Sequence, residues 1–191
     1  MTMFAVLAED RSDTDALAVL IKRITGKTNA KILRKGFSGC GELCRKAWSH
    51  FLDFADQGAT HFIICHDSDS PDPDPARSKI NDALNAKIKL TDYRYKIVVP
   101  VQELEAWIIA DEVAINKVIP TLFIKPQPQP ETRANPKEWL IRESQRGRSR
   151  PLYFPTVMNA RVAEFLDLDK VRGKCNSFNE FYDFITRSSE K

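Results

Sequence analysis

A chain of 191 residues, with 42% hydrophobic and 29% charged residues, has the length and balance of a globular protein with one sizeable core. Its net charge of +3 neither marks nor excludes a polyanionic partner, because basic residues need only gather on one face. No apolar run is long enough to cross a bilayer, and the opening MTMFAVLAEDRSD puts carboxylates directly after a short apolar run, unlike a secretory signal, so a cytoplasmic protein without membrane contacts is expected.

In chain order, residues 3–8 (MFAVLA) read as a strand buried on both faces. An amphipathic helix over 13–25 follows, with Asp13 or Ser12 as its cap and Gly26 as its end. Residues 31–35 make a short second strand, and a helix over 41–56 places Leu43, Ala47, Phe51 and Phe54 on one face. Residues 61–66 (HFIICH) are the next buried strand. The prolines of HDSDSPDPDP make the segment after it a loop. A helix over 76–88, a strand over 95–101 and a helix or helix pair in ELEAWIIADEVAINKVI complete the alternation. That order predicts an α/β fold, a mostly parallel sheet flanked by helices.

The texture changes after Pro120. KPQPQPETRANP is proline-rich and polar, and helices are expected over 136–144, 155–166 and 176–187. The organisation expected is an α/β domain over 1–120, with 121–191 forming a proline-rich linker and a small helical C-terminal extension packed on it. Cys40, Cys44, Cys65 and Cys175 lack the spacing of a zinc site and read as reduced thiols.

The acids fall at strand ends. Glu9 and Asp10 follow the first strand, Asp67 and Asp69 the next clear one, and Glu103 and Glu105 come just past the third. Ligands of open parallel sheets bind at the carboxyl ends of the strands. Several carboxylates gathered there repel one another unless a cation neutralises them, and oxygen-only donors suit Mg²⁺ or Mn²⁺. In Asp67-Ser68-Asp69 an extended backbone would point both carboxylates the same way. Any one such acid alone is more often a cap or a solvated loop residue. Asp13 reads as a cap, Asp72 and Asp74 as loop residues, His66 as a spectator, and Trp107 and Trp139 as core.

A strand ending in Glu (VLAED) and a later strand ending in Asp-x-Asp (IICHDSD) resemble the Toprim pattern of topoisomerases, primases and OLD-family nucleases. VPVQELEAWIIAD resembles the segment of OLD-like proteins that carries a Glu near a helix start, with Glu105 the best match. NPKEWL and DLDKVRGKCNSFNEFYDFI resemble the DUF4276 proteins, which are Toprim-like. The resemblance implies a Toprim/Rossmann-like fold and metal-dependent hydrolysis of DNA or RNA phosphodiesters, with Glu9, Asp67 and Asp69 as metal ligands and Glu105 as a further ligand or the residue that orients water. Lys137 is the candidate for the basic residue that would offset charge on the phosphorane, or is a solvated lysine in the first turn of a helix. The stretch RESQRGRSR (142–150), with Arg142, Arg146, Arg148 and Arg150, and Arg161 beyond it, offers guanidinium groups for phosphates, or is a solvated helix end and basic loop.

Asp10 stands where Toprim proteins usually carry the glycine that eases a tight turn. The resemblance also implies a setting in defence against phage or plasmids. It allows a homo-oligomer or a subunit that is non-catalytic or active only with an ABC- or AAA-type ATPase, since the chain has no G-x-x-x-x-G-K-[ST] loop of its own. A receiver or dehalogenase-type phosphotransferase is disfavoured, because here the first strand ends in Glu and the Asp pair comes later.

Overall fold

Every residue of β1 (Phe4–Ala8) and β3 (His61–Cys65) is buried, so neither strand shows the polar alternation of a half-exposed sheet. With β2 (Ile32–Gly36) and β4 (Arg94–Val98) they form one parallel sheet of order β2-β1-β3-β4 in a computed structural model that describes residues 2–189. Ala8 lies beside Gly36 on one side and Cys65 on the other, and Cys65 lies beside Val98. The strands therefore end level, and the residues just past them emerge along one edge.

Among the described residues nine α-helices connect and cover the strands: α1 (Arg11–Thr25), α2 (Cys40–Asp56), α3 (Asp74–Asn85), α4 (Glu105–Ile109), α5 (Glu112–Val118), α6 (Pro136–Gln145), α7 (Pro155–Ala163), α8 (Leu168–Lys174) and α9 (Asn176–Ser189). Phe4, Val6 and Ala8 face a core filled by Leu17 and Ile21 of α1, Trp107 of α4, Val162 of α7 and Phe178 and Phe181 of α9. Ala5 and Leu7 face the other way, onto Leu43 and Phe51 of α2 and Ile80 and Leu84 of α3. This two-sided cover is why the strands read as continuous apolar runs. The chain beyond residue 121 shares the first core through Tyr153, Val162 and Phe181. Its proline-rich segment is tied down at Glu131, whose carboxylate accepts from the Asn176 and Ser177 amides at the start of α9.

The α/β class and the helix flanks agree with expectation. The segment after β4 resolves into two helices, α4 and α5, because Asp111 stops the first and caps the second by accepting from the Val113 amide. Helix α8 was not anticipated. Asp167 makes it, accepting from the Asp169 and Lys170 amides. Trp107 is wholly buried, whereas Trp139 is half-buried with the Arg133 guanidinium 4.2 Å over its ring.

One close approach bears on the site. A Cβ added to Gly36 would fall 2.5 Å from the Arg11 amide nitrogen and 2.6 Å from the Asp10 carbonyl carbon, both backbone atoms that cannot swing aside. Gly36→Ala is expected to cost about 1–3 kcal/mol by urea denaturation, the range for forcing extra volume into a packed position. A variant of unchanged stability would show that β2 is not pressed onto the turn after Glu9.

Candidate metal centre

The level strand ends bring their acids together where the sheet order reverses, between β1 and β3. Glu9 leaves β1 and is fastened at both oxygens: the Cys40 amide donates to Oε1 at 3.1 Å, and His66 Nδ1 donates to Oε2 at 2.5 Å. His66 is buried beside it, so it is no spectator. It lies one residue past the end of β3, where strand alternation no longer sets its direction. Burial works against the Glu9 charge. The His66 hydrogen bond and charge, the Cys40 amide and the nearby Lys137 outweigh it and hold this carboxyl below its ordinary range.

Asp10 adopts extended backbone (φ −141°, ψ 177°), which any residue tolerates. It caps α1, Oδ1 accepting from the Asp13 amide at 3.0 Å and from Ser12 Oγ at 2.7 Å. With Asp10 as the cap, Asp13 is not one. Its side chain, only 4% exposed, turns into the cluster.

The loops after β3 and β4 are zipped together. The Ser68 amide donates to Pro100 O, the Asp69 amide to Gln102 O, and the Gln102 amide to Ser70 O and Ser68 Oγ. Two non-glycine residues, Asp69 (φ 50°) and Gln102 (φ 65°), take left-handed backbone where these loops meet, a cost that recurs at functional sites. The zipper sets Asp67 against the start of α4: Asp67 Oδ1 accepts from the Leu104 amide at 3.0 Å. It also ends the extended run, so Asp69 is exposed while Asp67 is buried. The alternation expected to point both carboxylates inward does not hold past Ser68.

Glu105, the first residue of α4, is wholly buried. Its Oε1 accepts from Asn159 Nδ2 at 2.9 Å, and Tyr153 donates its hydroxyl to Asn159 Oδ1. Its Oε2 has no hydrogen-bond partner. Lys137 is in the first turn of α6. Its amide donates to Glu103 Oε2 at 2.9 Å, and its ammonium lies in the field of Glu105, Asp67, Asp13 and Glu103. Burial disfavours that ammonium, but the four carboxylates more than reverse the effect and raise its pKa.

The acids respond in kind. Burial first, then Asp10 and Glu105, push the Asp13 carboxyl well up. Burial, then Asp13 and Glu105, do the same to Asp67. Glu105 is raised by burial, against the pull of Lys137 and Asn159. One lysine does not neutralise this many buried carboxylates; protons relieve the excess, as the raised values of Asp13, Asp67 and Glu105 express, and a bound cation would relieve it in their place. The donor set fits a hard divalent ion in chemistry: four carboxylates, on Glu9, Asp13, Asp67 and Glu105, with a wholly buried oxygen of Glu105 unpartnered. Among the described residues no group of three or more His, Cys, Asp or Glu side chains already stands in position to hold a metal ion.

Of the residues singled out in sequence, Glu9, Asp67, Glu105 and Lys137 meet here, and Asp69 stays at the exposed rim. Asp13, His66, Asn159 and Tyr153 were missed. Adjacency to Asp67 could have marked His66; Asp13 carries no such local signal, because Glu9 precedes α1 and shares no helix face with it. Asn159 carries no sequence signal, arriving from 54 residues away. A hollow of about 540 Å³, lined by His61, Arg94 and Arg187, opens at the first residues of β3 and β4, the opposite edge of the sheet.

Among the described residues no helix is long and apolar enough to cross a membrane. No curated protein and no solved structure matches the chain. A family model described as a domain of unknown function, DUF4276, matches residues 8–186, and the chain belongs to that family.

Proposed function

We propose that the protein is a Toprim-type nuclease that hydrolyses DNA or RNA phosphodiesters with Mg²⁺ or Mn²⁺. The observation that carries this reading is the cluster of buried, proton-hungry carboxyls, Asp13, Asp67 and Glu105, gathered with ionised Glu9 and Lys137 at the carboxyl edge of the sheet. Glu9, Asp67 and Glu105 would hold the ion, joined by Asp13, with Asp69 at the rim. A bound divalent ion lowers the pKa of water and polarises a phosphoryl oxygen. The chain's own residues do the rest. His66 and the Cys40 amide fix the orientation of Glu9, and Asn159 fixes that of Glu105. The Lys137 ammonium meets the charge that builds on the equatorial oxygens.

The positioning role of Asn159 can be tested apart from turnover. Asn159→Leu removes the donor to Glu105 and leaves the buried Tyr153 hydroxyl without its acceptor. It is expected to weaken Mn²⁺ binding by about 10- to 100-fold in calorimetry. Unchanged affinity would mean that Glu105 needs no orienting partner.

The function itself is tested by incubating plasmid DNA and total tRNA with Mg²⁺ or Mn²⁺ and wild type, Glu9→Ala or Asp67→Ala. Cutting by wild type alone supports the nuclease and its ligands together. Metal bound without cutting would indicate a subunit that acts with an ABC- or AAA-type ATPase, the arrangement that suits a defence system. The absence of both cutting and metal binding would sink the reading.

A further inference from the structure

Among the described residues five large hydrophobic side chains stand exposed: Val113, Phe123, Phe154, Val157 and Phe165. All lie between the start of α5 and the residues just past α7, and none on the α2–α3 side of the sheet. Three lie on or beside α7. Val157 and Arg161 lie one turn apart on the exposed face of α7, with Phe154 just before the helix and Phe165 just past it. The other side of α7 carries Asn159, Val162 and Ala163 and is buried. The helix therefore has a core face and a second, largely apolar face turned to solvent, with Phe154 48%, Val157 52% and Phe165 40% exposed.

The surroundings of the stripe carry several basic groups, with Glu143, paired to Arg146 at 3.3 Å, and the exposed Glu164 among them. The segment that joins α6 to α7 exposes Arg146, Arg148 and Arg150. Lys117 lies 4.2 Å over the Phe165 ring. Arg148 donates to Thr121 O at 3.0 Å, which brings in the loop bearing Phe123, 80% exposed. Arginines among exposed aromatic rings complement a polymer that alternates phosphates with flat bases, since rings stack on any base and guanidinium groups follow the backbone. A duplex hides its base faces and cannot use such rings. The surface also leads to the acidic cluster. Helix α6 runs from Lys137 to the arginine segment, and Tyr153, next to Phe154, ends the hydrogen-bonded relay through Asn159 to Glu105.

We propose that the exposed stripe of α7, with the arginine segment before it, is a binding surface for single-stranded nucleic acid. The proposal deepens the nuclease reading, on which it rests, by naming the form of the substrate. It is tested by fluorescence anisotropy of a labelled oligo(dT) of about 20 nucleotides, enough to span an OB-sized site, in EDTA so that cleavage plays no part. Wild type is expected to bind it more tightly than the matching duplex. Affinity should fall about 5- to 150-fold for each stacked base lost in the Phe154→Ala/Phe165→Ala double variant. Arg148→Ala should lower the slope of log K against log salt by about 0.7. Circular dichroism should show the fold retained, because neither side chain is part of the buried core. Absence of oligo(dT) binding, duplex bound equally well, or the double variant binding like wild type would each overturn the proposal. So would sedimentation showing that the double variant only breaks a dimer of this chain. A wild type that binds but cannot cut would defeat the nuclease reading and leave this surface standing.

Discussion

Asp67→Asn is expected to abolish metal-dependent cleavage, by at least about 100-fold, while making the metal-free protein melt at a higher temperature than wild type. The two effects share one cause. Asp67 is buried among Asp13 and Glu105, and its carboxyl is pushed well up by burial and by those neighbours. Asparagine keeps an oxygen for the Leu104 amide and nearly the same volume, so packing and the loop zipper survive. The substitution removes a negative charge that burial penalises and neighbouring acids repel. Losing a group that merely orients a ligand costs 10- to 100-fold, so losing a ligand should cost no less than the upper end. Thermal melting in EDTA and a cleavage time course check both halves. A variant that melts lower and still cuts would mean that Asp67 serves the fold.

Without metal, the protein is expected to lose stability as pH rises above about 4.5, and Mn²⁺ should reverse the trend. Asp13, Asp67 and Glu105 have folded-state pKa values above those of the unfolded chain, near 4. Their contribution is fully present below about pH 4, where both states are protonated, and is lost as pH rises through the raised folded values. Glu9 has a lowered pKa, so its contribution is lost as pH falls, in a window below about 4.5 that does not overlap this one. A bound cation takes the place of the protons, so its effect should grow with pH. At 100 times its dissociation constant it adds about 2.7 kcal/mol, a rise of about 5–10 °C for a chain of this size. Melting curves at pH 5, 6.5 and 8 with EDTA or Mn²⁺ read this directly. A metal-free melting temperature that rises with pH would contradict the buried cluster.

The features legible in the sequence share a physical reason. MFAVLA and HFIIC read as strands because both faces of the sheet are covered, so no polar residue interrupts them. Glu9 and Asp67 read as a site because parallel strands that end level deliver the residues just past them to one edge, and the paired loops after β3 and β4 bring Glu105, at the start of α4, to the same place. The misreadings came where local rules met tertiary ones. Ser12 and Asp13 were plausible caps, but Asp10 takes the cap and frees Asp13 to turn inward. Asp-x-Asp suggested two inward carboxylates, and the left-handed backbone at Asp69, set by pairing with Gln102, allows one. Helix α8 escaped notice because DLDKVRGK has little apolar periodicity and depends on the Asp167 cap. Asn159 and Tyr153 reach Glu105 only through the packing of α7, which no local pattern encodes.

The most direct test of the acidic cluster as a metal centre is calorimetric titration of Mn²⁺ into wild type and Glu105→Gln, in two buffers of different ionisation enthalpy. Glutamine keeps an oxygen for the Asn159 amide and removes the unpartnered carboxylate oxygen. Saturable binding by wild type, with protons released on binding and the heat lost in Glu105→Gln, is the expected result. No heat with wild type, or the same isotherm with both proteins, would contradict a metal centre at this cluster.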